Sequence, residues 1–342
     1  RTLGSHYNYL LSYINKQVLE FQRLMNQKYL GFVQMIVAQI GVGVSVVVGK
    51  QLMQDDVSVL TQVEARFIFC SMFLIINFIP ALLYKHLRGC ASDYALKLNK
   101  KQWAVLVAQS LCGGIFFNLI MLAGLRYTTA TMAGILTSTL PAILAILSYF
   151  ILKERIGGQR IFAIMLAIVG IIVLHLDSAG DGSHAKNAML GGFLIILSMV
   201  PEALYTVLAK KLGNVVNPLV QALAINIIST VVFLPFWFYY IGFDNLVEIN
   251  SDNLTKMVAT GFLSYLFFYL WTAGVTKVPA SVAAIFTGIM PIATTIGAIS
   301  LMGESFTMYD AAGMCFVLFS IFIGSGVVVL KNPMKKNNAE KE

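Results

Sequence analysis

The chain has 342 residues, of which 58% are hydrophobic and 12% are charged, and its mean hydropathy is +0.78. Soluble domains carry about 25% charged residues and could not bury so much apolar surface, so the composition excludes an ordinary soluble fold. The formal net charge of +8 would suggest a nucleic-acid partner only if the basic residues shared one solvated face; they lie in alternate loops, so no nucleic-acid partner is expected.

The first 29 residues differ from the rest of the chain. Their apolar side chains recur at alternating steps of four and three, at Tyr7, Leu11, Ile14, Val18, Phe21 and Met25. This spacing predicts an amphipathic helix on the cytoplasmic side, lying on the lipid headgroups or on the protein's own loops. A self-association seam is the alternative, and one stripe does not separate the two.

Apolar runs of about 16 to 24 residues follow, each long enough to cross a hydrocarbon core of about 30 Å. They predict ten membrane spans, at residues 31–49, 67–84, 103–124, 130–152, 161–176, 188–209, 218–241, 254–274, 280–302 and 311–330. The N-terminal segment, the tail and every second loop hold 19 Lys and Arg residues, against 4 in the other loops. The positive-inside rule therefore predicts an inner (plasma) membrane protein with both termini in the cytoplasm.

The two halves of the chain resemble each other. An offset of 150 residues aligns Thr137 with Thr287, Pro141 with Pro291 and Glu154 with Glu304, and an offset of 160 aligns residues 30–31 with 190–191. Five spans in each half would force the second half to enter the membrane from the opposite side. The predicted fold is an all-α membrane protein of ten transmembrane helices in two inverted five-helix repeats, residues 30–176 and 187–330, followed by a basic cytoplasmic tail, 331–342.

The stretches at residues 125–154 (LRYTTATMAGILTSTLPAILAILSYFILKE) and 275–304 (VTKVPASVAAIFTGIMPIATTIGAISLMGE) each combine small residues, a mid-span proline and a later glutamate. This pattern, over about residues 30–330, resembles the drug/metabolite transporter superfamily, in its EamA-like branch. The resemblance implies export or exchange of amino acids, other metabolites or drugs through a cavity enclosed by helices of both halves. The first span has Ile40-Gly41 where that family often has a tryptophan-glycine pair.

Pro141 and Pro291 each lie near the middle of a predicted span, where a proline frees the carbonyl four residues earlier. Those residues are Thr137 and Thr287. A free carbonyl beside a hydroxyl must face protein, water or a ligand. We therefore predict two polar notches on a central cavity, with the threonines binding substrate and the prolines breaking or gating the helices. The alternative is a kink that only shapes packing, with the threonine hydroxyls bonded back to their own helices.

Glu202 lies well inside the predicted span 188–209, beside Pro201. An acidic residue there costs about 2.5 to 3.5 kcal/mol on insertion scales, so it needs a compensating role. It is predicted to anchor a substrate amine or to bind a cation or proton, which makes the proton a candidate coupling ion. The alternative is a neutral carboxyl that fastens two helices together.

Further donors, acceptors and ring faces within the spans complete the predicted substrate site, namely Gln39, Asn118, Tyr205, Tyr265 and Tyr269. Tyrosines and tryptophans near span ends belong equally well to the interfacial belts, which is the alternative for Trp271 and the tyrosines. The family resemblance marks Glu154 and Glu304, and we favour a structural role for both, accepting hydrogen bonds that fix a helix end.

The four histidines and four cysteines show no metal-ligand spacing, and Gly49-Lys50 lacks the rest of a P-loop. No catalytic residue, metal or cofactor is therefore predicted. The predicted function is a secondary transporter, an exporter, of small organic metabolites such as neutral or aromatic amino acids or amphiphilic drugs, working by alternating access. The alternatives are a membrane-embedded enzyme or sensor, or a carrier of sugar phosphates or nucleotide sugars. Phosphate binding would need basic residues within the spans, where only Arg66 and the end-lying Lys50 qualify.

Overall fold

The computed structural model describes residues 2–87, 98–125, 127, 136–137, 139–174, 188–213, 215–240, 250–303 and 307–324, and the side chains before residue 25 lie outside this description. Within these ranges every regular element is a helix, and no β-strand occurs. The helices are α1 (Thr2–Gln54), α2 (Val59–Leu87), α3 (Lys100–Ser110), the π-helix π1 (Leu111–Phe116), α4 (Phe117–Leu125), α5 (Leu140–Leu152), α6 (Gly158–Leu174), α7 (Ala188–Leu212), α8 (Pro218–Tyr240), α9 (Ser251–Val275), α10 (Ala280–Phe286), α11 (Ile289–Met302) and α12 (Met308–Gly324).

Seven helical stretches are long and apolar enough to cross a membrane: Met25–Gln54, Val59–Tyr84, Lys100–Met121, Met189–Leu212, Pro218–Tyr240, Ser251–Val275 and Ala280–Met302. Three shorter apolar helices, Leu140–Leu152, Gly158–Val173 and Met308–Gly324, overlap the other three predicted spans. Those three predicted spans extend beyond the described residues, so the count of ten stays a prediction.

The outward-facing surface of the helices carries large apolar side chains. Phe150 is 71% exposed, and Ile76 and Val231 are each 63% exposed. Apolar surface on this scale is unfavourable in water but not against lipid chains. The exposed surface therefore agrees with a multi-pass membrane protein.

The N-terminal segment is helical and continuous with the helix that follows it. α1 runs from Thr2 to Gln54 without interruption, and its 53 residues would extend about 80 Å. A helix lying flat on the headgroups would have to turn near residue 29 before entering the membrane. The predicted boundary at residue 29 is therefore not a helix boundary.

The two mid-span prolines start helices instead of kinking them. α10 ends at Phe286 and α11 begins at Ile289, so Pro291 lies in the first turn of α11. Pro141 likewise lies in the first turn of α5. The first N–H groups of a helix have no partner within it, so a proline there loses no hydrogen bond. Pro291 therefore marks a break between two helical segments, and Pro141 marks the start of a helix.

α5 and α11 end in the same way. Lys153 and Gly303, 150 positions apart, follow these helices with φ angles of 55° and 70°. A left-handed residue at this place ends a helix by satisfying its last carbonyls, and the N–H of each residue donates to a carbonyl of the preceding turn. Glycine adopts this conformation freely, whereas lysine adopts it at a cost of about 1 kcal/mol.

Helix packing crosses between the two halves of the chain. α1 packs against α9 and α11, while α7 packs against α3, π1, α4 and α5; α6 and α12 pack against each other. Gly43 allows a close approach of α1 to α11, because a methyl group added there would lie 2.6 Å from the Cβ of Ala293. The stacked rings of Phe32 and Phe286, 5.1 Å apart, join α1 to α10 within the largest apolar core.

Candidate functional site

A cavity of about 920 Å³ lies among helices of both halves. Its wall begins near the middle of the spans, at Gln39 of α1 and at Thr287 between α10 and α11, and reaches Lys50 of α1 and Asp310 of α12. We call the end of the bundle with Lys50 and Asp310 the Lys50 end, and the opposite end the Glu154 end. Pockets for small organic ligands measure about 300–1,000 Å³, so the cavity has room for a metabolite.

Eight residues that the sequence predicted for the site line this cavity together: Gln39, Asn118, Thr137, Pro141, Glu202, Tyr205, Thr287 and Pro291. Two others are not part of its wall. The hydroxyl of Tyr265 accepts a hydrogen bond from Asn77 Nδ2 at 2.6 Å, and its ring stacks on that of Tyr269 at 6.3 Å. The placement of Tyr265 and Tyr269 therefore gives no support to their predicted substrate contact. Glu304 lies outside the described residues.

The geometry at Thr287 differs from the predicted free carbonyl. Its hydroxyl donates to the carbonyl of Ala284 at 2.7 Å, and its own carbonyl accepts from the N–H of Met290 at 3.3 Å. The backbone tightens around the break and so satisfies the carbonyl that the proline leaves without its usual partner. Thr287 therefore offers the cavity a hydroxyl oxygen that can still accept a hydrogen bond.

The aromatic side of the cavity comes from α9 and α7. The rings of Phe267 and Trp271 stack at 6.0 Å, and the ring of Tyr205 lies edge-on to Phe268 at 5.9 Å. The two polar atoms of this wall are already bonded: Trp271 Nε1 donates to Thr206 Oγ1 at 3.2 Å, and the Tyr205 hydroxyl lies 3.4 Å from the hydroxyl of Thr272. The wall therefore offers ring faces to a ligand and few unused donors.

Arg66 brings a positive charge to the cavity wall. Its Nη2 donates to Asn118 Oδ1 at 3.2 Å, and its guanidinium carbon lies 5.3 Å from the centre of the Phe67 ring. The buried Nε has no hydrogen-bond partner among the described residues. From the sequence, Arg66 was considered only as a candidate phosphate ligand, because pairing across helices leaves no signal in spacing along the chain.

Glu202 brings a negative charge to the same wall. Its side chain is only partly buried, and no described residue donates a hydrogen bond to its carboxylate. Arg66 lies close enough to act on it electrostatically, but no ion pair within 4.0 Å joins these two described residues. Lys50 and Asp310 also line the cavity, and Arg66 and Glu202 add a cation and an anion that do not neutralise each other through direct contact.

A π-helical segment places Asn118 beside Arg66. π1 contains Gly113 and Gly114, and a methyl group on Gly113 would meet the Tyr205 ring at 2.7 Å. Asn118 follows within α4, where its Nδ2 donates to the carbonyl of Gly114 at 2.6 Å. This bond fixes the side-chain amide so that its oxygen faces Arg66. Short π segments occur often at functional sites, and the glycine pair was the only sequence signal for this one.

Contacts between the halves occupy the Glu154 end. The carboxylate of Glu154 accepts from the N–H groups of Ala280 at 3.2 Å and Ser281 at 3.5 Å, and its Oε1 lies 2.8 Å from Lys210 Nζ. Lys210 also donates to the carbonyl of Val278. These are contacts of the kind expected of a helix-end anchor, and they join the end of α5 to the start of α10.

A second basic residue joins the halves at the same end. Lys277, between α9 and α10, donates from Nζ to Gln34 Oε1 at 2.5 Å and to the carbonyl of Ala273 at 2.8 Å. Burial of this ammonium group lowers the pKa of Lys277, since desolvation disfavours the charged form. Two neutral acceptors, the Gln34 side chain of α1 and the Ala273 carbonyl of α9, therefore hold the lysine in place.

Comparisons with known proteins agree with this architecture. The EamA-like transporter family matches residues 29–176 and 189–325. The uncharacterized transporter YetK of Bacillus subtilis (strain 168) is 34% identical over 320 residues, 93% of each chain, and an uncharacterized transporter of Archaeoglobus fulgidus is 27% identical over 66% of this chain and 79% of its own.

A solved crystal structure superposes with a TM-score of 0.69, covering 87% of this chain and 96% of its own at 15% identity, which shows a shared fold. The family match covers most of the chain in two successive segments. The chain is therefore a membrane transporter that belongs to the EamA-like transporter family.

Proposed function

We propose that the protein is a secondary transporter, an exporter, of small organic metabolites such as neutral or aromatic amino acids or amphiphilic drugs. The observation that carries this proposal is the cavity of about 920 Å³, in which Arg66, Glu202 and an aromatic wall meet among helices of both halves. Aromatic and apolar walls with a few placed polar groups suit such solutes.

We propose ten spans in two inverted repeats in the inner (plasma) membrane, with both termini in the cytoplasm. The packing supports this arrangement, because the first span of each half packs against the third and fourth spans of the other: α1 on α9 and α11, α7 on α3–α4 and α5. The matching helix ends at Lys153 and Gly303 also support it. Reporter fusions at both ends should locate them in one compartment, and opposite compartments would overturn the topology.

Alternating access follows from this symmetry. The cavity extends to the Lys50 end, whereas Glu154 and Lys210 tie the halves together at the Glu154 end. The predicted topology puts the Glu154 end in the cytoplasm, so this conformation would be open to the outside. If the two halves exchanged their arrangements, the cavity would open at the Glu154 end instead. Arg66 and Glu202 would then face the cytoplasm, where an exporter loads its cargo.

Uptake into sealed proteoliposomes tests the proposal. Labelled neutral and aromatic amino acids are expected to cross the bilayer only when the full-length chain is present, and preloading with unlabelled solute should accelerate their entry. A membrane enzyme or a sensor would leave the label outside. Protein-free liposomes measure leakage, and absence of flux for all solutes would overturn the proposal.

One observation favours the alternative of phosphorylated cargo. Arg66 and Lys50 both line the cavity and could bind phosphate oxygens. Glu202 and Asp310 lie on the same wall, where a phosphate dianion would meet two carboxylates. We therefore rank sugar phosphates below solutes of zero net charge, and a hexose phosphate in the uptake panel separates the two.

A further inference from the structure

We infer that Arg66 and Glu202 together form a receptor for a zwitterion, a solute that carries both a carboxylate and an ammonium group. This inference rests on the proposed carrier function and narrows its cargo.

The aromatic wall does not supply the polar recognition. Tyr205 and Trp271 direct their polar atoms to Thr272 and Thr206, which are completely or almost completely buried. A ligand that formed a hydrogen bond with the Tyr205 hydroxyl or with Trp271 Nε1 would have to compete with one of these contacts.

Polar recognition therefore depends on other side chains of the wall. Lys50 and Asp310 lie at the Lys50 end, where Asp310 already accepts from the N–H and hydroxyl of Thr307 at 2.8 and 2.9 Å. Arg66 and Glu202 are therefore the opposite charges best suited to this recognition.

Arg66 is prepared to bind an anion. Asn118 takes one of its donors, and the amide of Asn118 is itself fixed by the carbonyl of Gly114. A guanidinium has five N–H donors, and the bond to Asn118 uses one of them. A carboxylate that approached from the cavity would pair with the Nη donors that remain, in the charge-assisted geometry that arginine favours.

Glu202 is prepared to bind a cation. It lines the same cavity, and no described residue donates a hydrogen bond to its carboxylate. Arg66 acts on it through space without an ion pair shorter than 4.0 Å between these described residues. A direct pair would satisfy both charges and leave little for a ligand. Two separated opposite charges match the ammonium and carboxylate of one amino acid, while the ring faces of Phe267 and Trp271 suit its side chain.

A matched ligand series tests the inference on the reconstituted full-length chain. L-Phenylalanine carries both charges, 2-phenylethylamine lacks the carboxylate and 3-phenylpropionate lacks the ammonium group. L-Leucine, 3-methylbutylamine and 4-methylpentanoate repeat the series with an aliphatic side chain. In competition for labelled zwitterion uptake, each single-charge analogue should bind about tenfold to a hundredfold more weakly than its parent, since a charged hydrogen-bond pair is lost.

Two substitutions test which residue binds the carboxylate of the ligand and which binds its ammonium group. Arg66→Gln should abolish the preference for phenylalanine over phenylethylamine, and Glu202→Gln should abolish the preference over phenylpropionate, each leaving the other discrimination in place. Lys256→Gln and Asp252→Asn are matched controls, because these residues pair with each other at 2.7 Å and are not part of the cavity wall. Thermal unfolding in detergent reports whether each variant is folded.

The wild-type series alone keeps the inference testable if a variant does not fold. Equal competition by all three phenyl compounds would overturn it, and so would a uniform loss of affinity for all three in both folded variants. Flux of solutes with one charge or none, without flux of any zwitterion, would overturn the receptor but leave the carrier function standing. No flux of any solute would overturn both.

Discussion

The carboxylate of Glu154 accepts a hydrogen bond from the backbone N–H of Ala280 at 3.2 Å, although the two residues are 126 positions apart. This contact joins the end of a helix in the first half to the start of a helix in the second. Lys210 of α7 forms an ion pair with the same carboxylate at 2.8 Å.

Glu154→Gln should weaken this junction. The neutral amide keeps the shape but loses the ion pair with Lys210, whose side chain is 20% exposed, so we expect a loss of about 1 kcal/mol in the free energy of unfolding. Chemical denaturation in detergent measures it. Lys211→Gln removes an exposed charge one position from Lys210 and should change stability by less than about 0.5 kcal/mol. Equal effects of the two substitutions would contradict a specific role for Glu154.

Glu202 should confer a pH dependence on transport. Its carboxylate must be ionised to attract an ammonium group, so uptake by the wild type should fall as the pH is lowered through the titration of this carboxyl. Arg66 is the charged group that acts on it electrostatically, and Cys112 and Tyr205 are the neighbouring titratable groups on which Glu202 itself acts. In Glu202→Gln, uptake should be lower and should no longer follow pH over that range. Initial rates at fixed substrate concentration give the profile, and a wild-type profile in the variant would remove Glu202 from the mechanism.

Gly43→Ala should separate α1 from α11. The new methyl group would lie 2.6 Å from Ala293 Cβ and 2.7 Å from the carbonyl oxygen of Met290, and the backbone cannot move aside cheaply. We expect a loss of about 1–3 kcal/mol, measured by thermal or chemical unfolding. Gly49→Ala in the same helix is the control: its methyl group would meet only the end of the Gln62 side chain, at 3.4 Å, so this substitution should be neutral or slightly stabilising.

The threonines at the helix breaks can be tested by replacing each with valine, which keeps the shape and removes the hydroxyl. Thr287→Val loses the bond to the carbonyl of Ala284 and one acceptor at the cavity, and Thr137→Val removes the corresponding hydroxyl of the other half. If the hydroxyls contact cargo, the KM for transport should rise about threefold to tenfold with unchanged stability. Unchanged kinetics would restrict them to local helix packing.

The membrane class and most helix positions could be predicted from the sequence, because crossing a hydrocarbon layer imposes length and composition on each segment separately. Residues 218–241 and 280–302 were predicted within one residue of the observed stretches Pro218–Tyr240 and Ala280–Met302. Helix ends outside the apolar region were less predictable: α2 begins eight positions before the predicted residue 67, because its first turns carry polar side chains. Hydropathy does not indicate where a helix begins or ends within a polar segment.

The candidate site was predictable in part, for the same reason. A polar or charged residue inside an apolar run, such as Glu202 or Asn118, is conspicuous in the sequence since lipid disfavours it. Tyr265 and Tyr269 met the same criterion but pack against Asn77 and one another, because the rotation of a helix about its axis is decided by its neighbours and not by its own composition.

The amino-acid sequence by itself determined that this chain enters a membrane and at which positions most of its helices lie. It also identified the few polar residues within the spans that need a compensating role. Only the tertiary structure decided that Arg66 and Glu202 share one cavity without direct pairing, and that Glu154 bonds to the start of α10. The physical reason is distance: hydropathy acts residue by residue along the chain, whereas these relationships join positions 126 or more residues apart and exist only once the helices have packed.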